Sequence, residues 1–174
     1  MARIVFTIIV LVLYNILVLY TFGIPKHLSS TYRLWKSHKR WLRLLFPFFI
    51  LLQFFLFVPI WWNMARTISL EHPKSSYFVL VTAFMMLIIA FSGNYRCNKW
   101  LLYTHYIAAF IAGISAVMWI FWVSPFWFLP LCNLIAALTI AYLTRTLHSC
   151  FLYWLELVSF CSLYVAVLLM EIYL

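Results

Sequence analysis

Apolar residues run along this chain in long blocks separated by short polar or turn-forming stretches. A helix that crosses a bilayer needs about 20 mostly apolar residues, each rising about 1.5 Å. Six blocks are candidates, at residues 3–22, 43–64, 76–92, 99–123, 126–147 and 150–172, the third being the shortest. Gly23 and Pro25 close the first, Pro73 with Lys74, Ser75 and Ser76 precedes the third, and Ser124-Pro125 turns the chain before the fifth. Connections this short make sequential helices antiparallel neighbours. The expected fold class is therefore all-α: a polytopic transmembrane bundle of about six spans, up-and-down, in a single integral membrane domain over residues 1–174.

The first block follows Met1-Ala2-Arg3, a minimal positive start that invites a reading as a secretory signal. Its apolar stretch exceeds the roughly 7–15 residues of a signal core, and Tyr20-Thr21-Phe22-Gly23 lacks a small-x-small cleavage pattern. An uncleaved helix is the better expectation.

Composition agrees with the block pattern. Of the residues, 68% are hydrophobic and 9% charged, against about 45–50% and about 25% in ordinary soluble domains. Too few polar groups exist to cover a soluble core, so lipid must cover it. Tryptophans near block ends (Trp61, Trp62, Trp100, Trp119, Trp122 and Trp127) read as interfacial anchors, because the amphipathic indole favours headgroup level.

The charge is lopsided, with 12 Lys+Arg against 3 Asp+Glu. Nucleic acid is the usual partner of a basic chain, but no nucleic-acid motif is present and half of the cations (Lys26, Arg33, Lys36, Lys39, Arg40 and Arg43) sit between the first two apolar blocks. Anionic lipid headgroups are the nearest negative charge there. Alternate loops divide the cations unevenly: Arg3, Arg66 and Lys74 fall on one side, and the first-loop cluster with Arg96, Lys99 and Arg145 on the other. The richer side should face the cytoplasm, leaving both termini extracytoplasmic.

Within the first loop, Arg33, Lys36, Arg40 and Arg43 recur at steps of 3, 4 and 3, with Leu34, His38, Trp41 and Leu45 opposite. This is the pattern of one interfacial helix from Thr31 to Leu45 that presses Leu34 and Trp41 into the acyl boundary and holds its cations at the headgroups. A solvated positive loop is the plainer alternative. Ser29, Ser30 and Thr31 are placed to cap that helix. A catalytic serine there lacks an assignable base and orienting acid.

Ionisable groups inside a span cost about 2.5–3.5 kcal/mol or more, so they usually face protein or water. His105 and Glu156 each lie about six residues into a span from the same side. His105, Ala109 and Gly113 form one row, and Glu156, Ser159 and Ala166 another, and small rows let helices approach closely. The expectation is that His105 and Glu156 meet, with Asn15 and Thr104 nearby and Gln53 and Asn133 deeper. The plainer alternative is that these groups only fix helix packing.

The four cysteines lack the close spacing of a zinc site and the density of a disulfide scaffold, and read as thiols. No cofactor or metal is expected.

The stretch Phe22-Gly23-Ile24-Pro25-Lys26-His27-Leu28-Ser29-Ser30-Thr31-Tyr32 resembles the juxtamembrane motif of a family of small multi-span membrane proteins of Bacteroides-type bacteria and their phages, as does Tyr103-Thr104-His105-Tyr106-Ile107-Ala108-Ala109. The resemblance implies a bacterial or phage-encoded inner-membrane protein and supplies no activity. A remoter comparison is with ceramidase-like membrane hydrolases, which use a serine, acidic residues and several histidines around zinc. Here there is no aspartate, and His105 is the one histidine within the expected spans, with His148 at a helix end.

These features leave three functional expectations: a non-enzymatic accessory or assembly component that engages anionic lipid or a partner membrane protein, a proton-linked transporter using Glu156 and His105, and an intramembrane lipid hydrolase.

Overall fold

A computed structural model describes residues 1–68, 72, 74–92 and 99–173. Pro73, Arg96, Cys97 and the side chain of Lys99, used above as a helix break, a thiol and two cations, lie outside the described residues. Among those described, seven α-helices and two 3-10 turns form and no strand does. The helices are α1 (Ala2–Phe22), α2 (Thr31–His38), α3 (Leu45–Thr67), α4 (Ser75–Phe91), α5 (Lys99–Val123), α6 (Leu129–Leu143) and α7 (Phe151–Tyr173).

Six of these fall on the six apolar blocks. Four stretches, Ala2–Phe22, Arg40–Thr67, Trp100–Val123 and Phe151–Tyr173, are long and apolar enough to cross a membrane. Helices α4 and α6 are shorter, at 17 and 15 residues, about 26 and 22 Å at 1.5 Å per residue against a hydrocarbon core of about 30 Å.

The helix ends have local causes. Gly23 takes φ +70° and returns its N–H to the Leu19 carbonyl at 3.0 Å, which ends α1 where a side chain would be strained. The fifth block is trimmed at both ends relative to 126–147. Proline lacks an N–H and is best accommodated in the first turn of a helix, where Pro130 sits, so it disfavours an earlier start of α6. At the other end Arg145 adopts φ 54°, with Thr146 N–H bonded to Ala141 O at 2.8 Å and Arg145 N–H to Tyr142 O at 3.0 Å. That paired pattern is a left-handed C-terminal cap.

Helices adjacent in sequence pack together: α3 on α4, α4 on α5, and α6 on α7, with α1 against α3. Helix α7 also touches α1, α3 and α5, so it closes the bundle. The α4–α5 seam is built from small side chains, Ala83 and Ala90 facing a row of His105, Ala108, Ala112, Ser115 and Trp119. This corrects the expected His105–Ala109–Gly113 row, since Gly113 is exposed and Ala109 half-buried.

Two of the expected tryptophan anchors are core residues. Trp61 and Trp119 are fully buried and meet edge to face at 5.3 Å, and the Trp119 indole N–H donates to Ser75 Oγ at 3.0 Å. Trp100, Trp122 and Trp127 are exposed, as anchors require.

Candidate functional site

The segment after α1 turns back onto the bundle and is held there by side chains from two helices. The Ser30 hydroxyl donates to His27 O at 2.6 Å and the Thr31 hydroxyl to Leu28 O at 2.7 Å, which tightens residues 27–31 into a 3-10 turn. Thr31 has one hydroxyl hydrogen and spends it on Leu28, so the Tyr14 hydroxyl of α1, 2.6 Å away, donates to Thr31 Oγ1. Tyr14 itself stacks on Phe49 at 4.1 Å.

From α7, Glu156 Oε2 accepts the Leu28 N–H at 2.5 Å, and from the turn just before it Cys150 Sγ donates to Ile24 O at 3.4 Å. The ring of His27 shares a 2.8 Å hydrogen bond with the Ser29 hydroxyl. Trp35 is buried edge-on against Phe22 at 4.8 Å. Residues 24–35 are thus tied to both the first and the last long helix.

The serines and threonine do not cap α2 as expected. No side chain caps its N-terminus, because these hydroxyls bond within the preceding turn or to Tyr14 and His27.

The expected meeting of His105 and Glu156, directly or through water, is not made by a direct bond. Glu156 is bonded to the Leu28 backbone, whereas His105, fully buried on α5, shares a 2.8 Å hydrogen bond with Ser92 Oγ at the end of α4. The returning segment also reaches α5, where the His27 ring lies 6.2 Å from that of Tyr106, the neighbour of His105. Thr104 is exposed on the outer face of α5 and leaves the cluster. Asn15 bonds outside the expected set: its Oδ1 accepts the Tyr153 hydroxyl at 2.8 Å, one turn along α7 from Glu156.

Deeper in the bundle, Gln53 joins three helices, accepting the Tyr164 hydroxyl at 2.8 Å and donating to Thr7 O at 3.2 Å. Asn133 lies half-buried on α6, apart from this network. Sequence reasoning passed over Tyr14, Tyr153 and Tyr164. Their signal was present: a phenol hydroxyl deep in an apolar block needs a polar partner, and each of these three has one.

The basic face also departs from expectation. The helix breaks at Lys39, whose backbone is extended (φ −147°, ψ 132°), and a separate 3-10 turn, Arg40–Leu44, leads into α3. Trp35 is the aromatic side chain that α2 buries, while Leu34 is half-exposed and Trp41 points outward. Arg33, Lys39 and Arg40 are exposed, and Lys36 and Arg43 half-buried.

Two acidic side chains fall among the described residues. Glu156 serves Leu28, and Glu171 pairs with the amino terminus of Met1. Arg33, Lys39, Arg40 and Arg43 therefore meet no intramolecular carboxylate among the described residues, in a chain whose formal net charge is +9. No cluster of His, Cys, Asp and Glu that could hold a metal ion occurs among the described residues. Cys132, Cys150 and Cys161 are free thiols.

No family model matches the chain, and no curated protein or solved structure matches it significantly.

Proposed function

We propose that the chain is a six-span, non-enzymatic component of a bacterial inner membrane, with both termini extracytoplasmic, that engages anionic lipid headgroups through a basic collar after its first span. In this reading the short helices α4 and α6 cross with local bilayer thinning, which costs only fractions of a kcal/mol per Å of mismatch. Its work is accessory or assembly in kind: it offers a charged, membrane-level surface to lipid and to a partner membrane protein.

One observation carries the reading. The collar is fixed rather than loose, held by Glu156, Tyr14 and the buried Trp35, yet it turns Arg33, Lys39 and Arg40 outward with no carboxylate among the described residues to receive them. Fixed cations at headgroup level attract anionic lipid by about 1 kcal/mol each. A proton-linked transporter using Glu156 and His105 has less support, because these side chains bond to different partners.

The test extracts the full chain from membranes in polymer nanodiscs and compares the anionic share of the retained lipid with that of the bulk membrane. The parent should be enriched in anionic lipid. A variant with Arg33, Lys36, Arg40 and Arg43 all changed to Gln should fall to the bulk value. A parent with no enrichment contradicts the proposal.

A further inference from the structure

The turn Arg40–Leu44 sorts its side chains by threes. In a 3-10 helix the side chains at i and i+3 eclipse, and this turn is formed by Leu42 N–H on Lys39 O at 2.9 Å with Leu45 N–H returning to Leu42 O. Arg40 and Arg43 therefore share one edge, Trp41 and Leu44 a second, and Leu42 and Leu45 a third. The third edge packs on the core. The second faces out, with Trp41 67% and Leu44 61% exposed.

The outward apolar edge does not stop at the turn. It continues down α3 through Phe48 and Phe55, which are 63% and 69% exposed. From Leu44 to Phe55 the edge runs about 16 Å at 1.5 Å per residue, close to half of the roughly 30 Å hydrocarbon core. An apolar track one leaflet deep thus begins beside a pair of guanidinium groups.

We propose that this edge is a binding site for one anionic glycerophospholipid, with the phosphodiester held between Arg40 and Arg43 and an acyl chain along Trp41, Leu44, Phe48 and Phe55. Arginine suits the task because its planar fork meets two phosphate oxygens at once, which a lysine ammonium does not. Charge complementarity selects the occupant: neither arginine meets a carboxylate among the described residues. The site rests on the collar reading above and narrows it from a general attraction to one place.

The experiment titrates phosphatidylglycerol onto the purified full chain and counts retained lipid by native mass spectrometry, with phosphatidylcholine as the neutral control. Arg40→Gln/Arg43→Gln should weaken phosphatidylglycerol retention about 30-fold, the loss of two headgroup-level cations. Lys26→Gln/Arg33→Gln removes the same charge from the same collar and should weaken only the diffuse attraction of the collar, with a clearly smaller loss of this bound lipid. Arg40→Lys/Arg43→Lys keeps the charge and the fold, and should still lose part of the retention because the forks are gone. Inorganic phosphate should not displace the lipid.

An equal fall for the two Gln pairs overturns the site while leaving general attraction intact. No fall in either overturns both readings. Full retention by the Lys pair, or full displacement by phosphate, overturns the arginine fork or the acyl track respectively.

Discussion

The α1–α7 seam and the α4–α5 seam hold helices together by different means. Along the first, helix meets helix through hydrogen bonds: Tyr153 to Asn15, Tyr164 to Gln53, which also bonds Thr7 O on α1, and Glu156 to the turn that follows α1. Along the second, Ala83, Ala90, Ala108 and Ala112 bring the backbones close, with Trp119 filling the far end. Lipid is as apolar as leucine, so hydrophobic burial gives little drive for helices to associate in a bilayer. Close packing and polar bonds remain: the first seam relies on polar bonds, and the second adds the bonds of Trp119 to Ser75 and of Ser115 to Phe78 O to a close-packed alanine face.

The difference matters for function because the side-chain hydrogen bonds that reach the basic collar from elsewhere in the described residues come from the α1 and α7 side. Tyr14 belongs to α1, Glu156 to α7 and Cys150 to the turn just before α7, and none belongs to α4. Disturbing one seam should therefore have consequences that disturbing the other does not.

The largest effect is expected at the packed seam. Trp119→Ala removes a fully buried indole and leaves Ser75 without its donor, and truncations of this kind cost about 3–5 kcal/mol. Unfolding in detergent should show that loss, while amide exchange at Leu28 stays protected under native conditions. Loss of protection at Leu28 in this variant would mean that the seams act as one unit.

A smaller and more local effect is expected at the polar seam. Glu156→Ala takes the acceptor from the Leu28 N–H, and an unsatisfied buried donor costs about 1–3 kcal/mol. Hydrogen exchange should quicken at Leu28 and its neighbours and stay unchanged across α4 and α5. Unchanged exchange at Leu28 would remove Glu156 as the anchor of the collar.

Much of this architecture was legible in the sequence. The six apolar blocks recur as six helices, four of them in stretches long enough to cross a membrane, because a run of apolar residues bounded by Gly23 at its end or Pro130 at its start leaves the backbone little choice. Hydropathy could not separate a lipid-facing residue from a protein-facing one. Trp61 and Trp119 therefore read as anchors although they meet each other in the core, and Gly113 read as inward although it faces out.

The polar site was half legible for a related reason. Depth along a span can be read from residue number, so His105, Glu156, Asn15 and Gln53 could be singled out as costly groups needing partners. Who the partners are depends on how a loop returns, and the bond from Leu28 to Glu156 joins residues 128 apart in sequence. The collar was misread in period. Steps of 3 and 4 fit an α-helix, whereas an extended Lys39 and a three-residue repeat after it put Trp41 beside Leu44 instead of Leu45.

The central claim is that the collar sits on the cytoplasmic face of the membrane, and labelling at Ser37 tests it most directly. Ser37 is exposed on α2 and its hydroxyl bonds only to Leu34 O within the same helix, so a cysteine there should be reachable without disturbing the anchors. In a variant with Cys97, Cys132 and Cys161 replaced by serine and the buried Cys150 kept, Ser37→Cys should react with a membrane-impermeant maleimide only after the cells are permeabilised, as the Lys and Arg asymmetry requires. Full labelling in intact cells would place the collar outside and contradict the account.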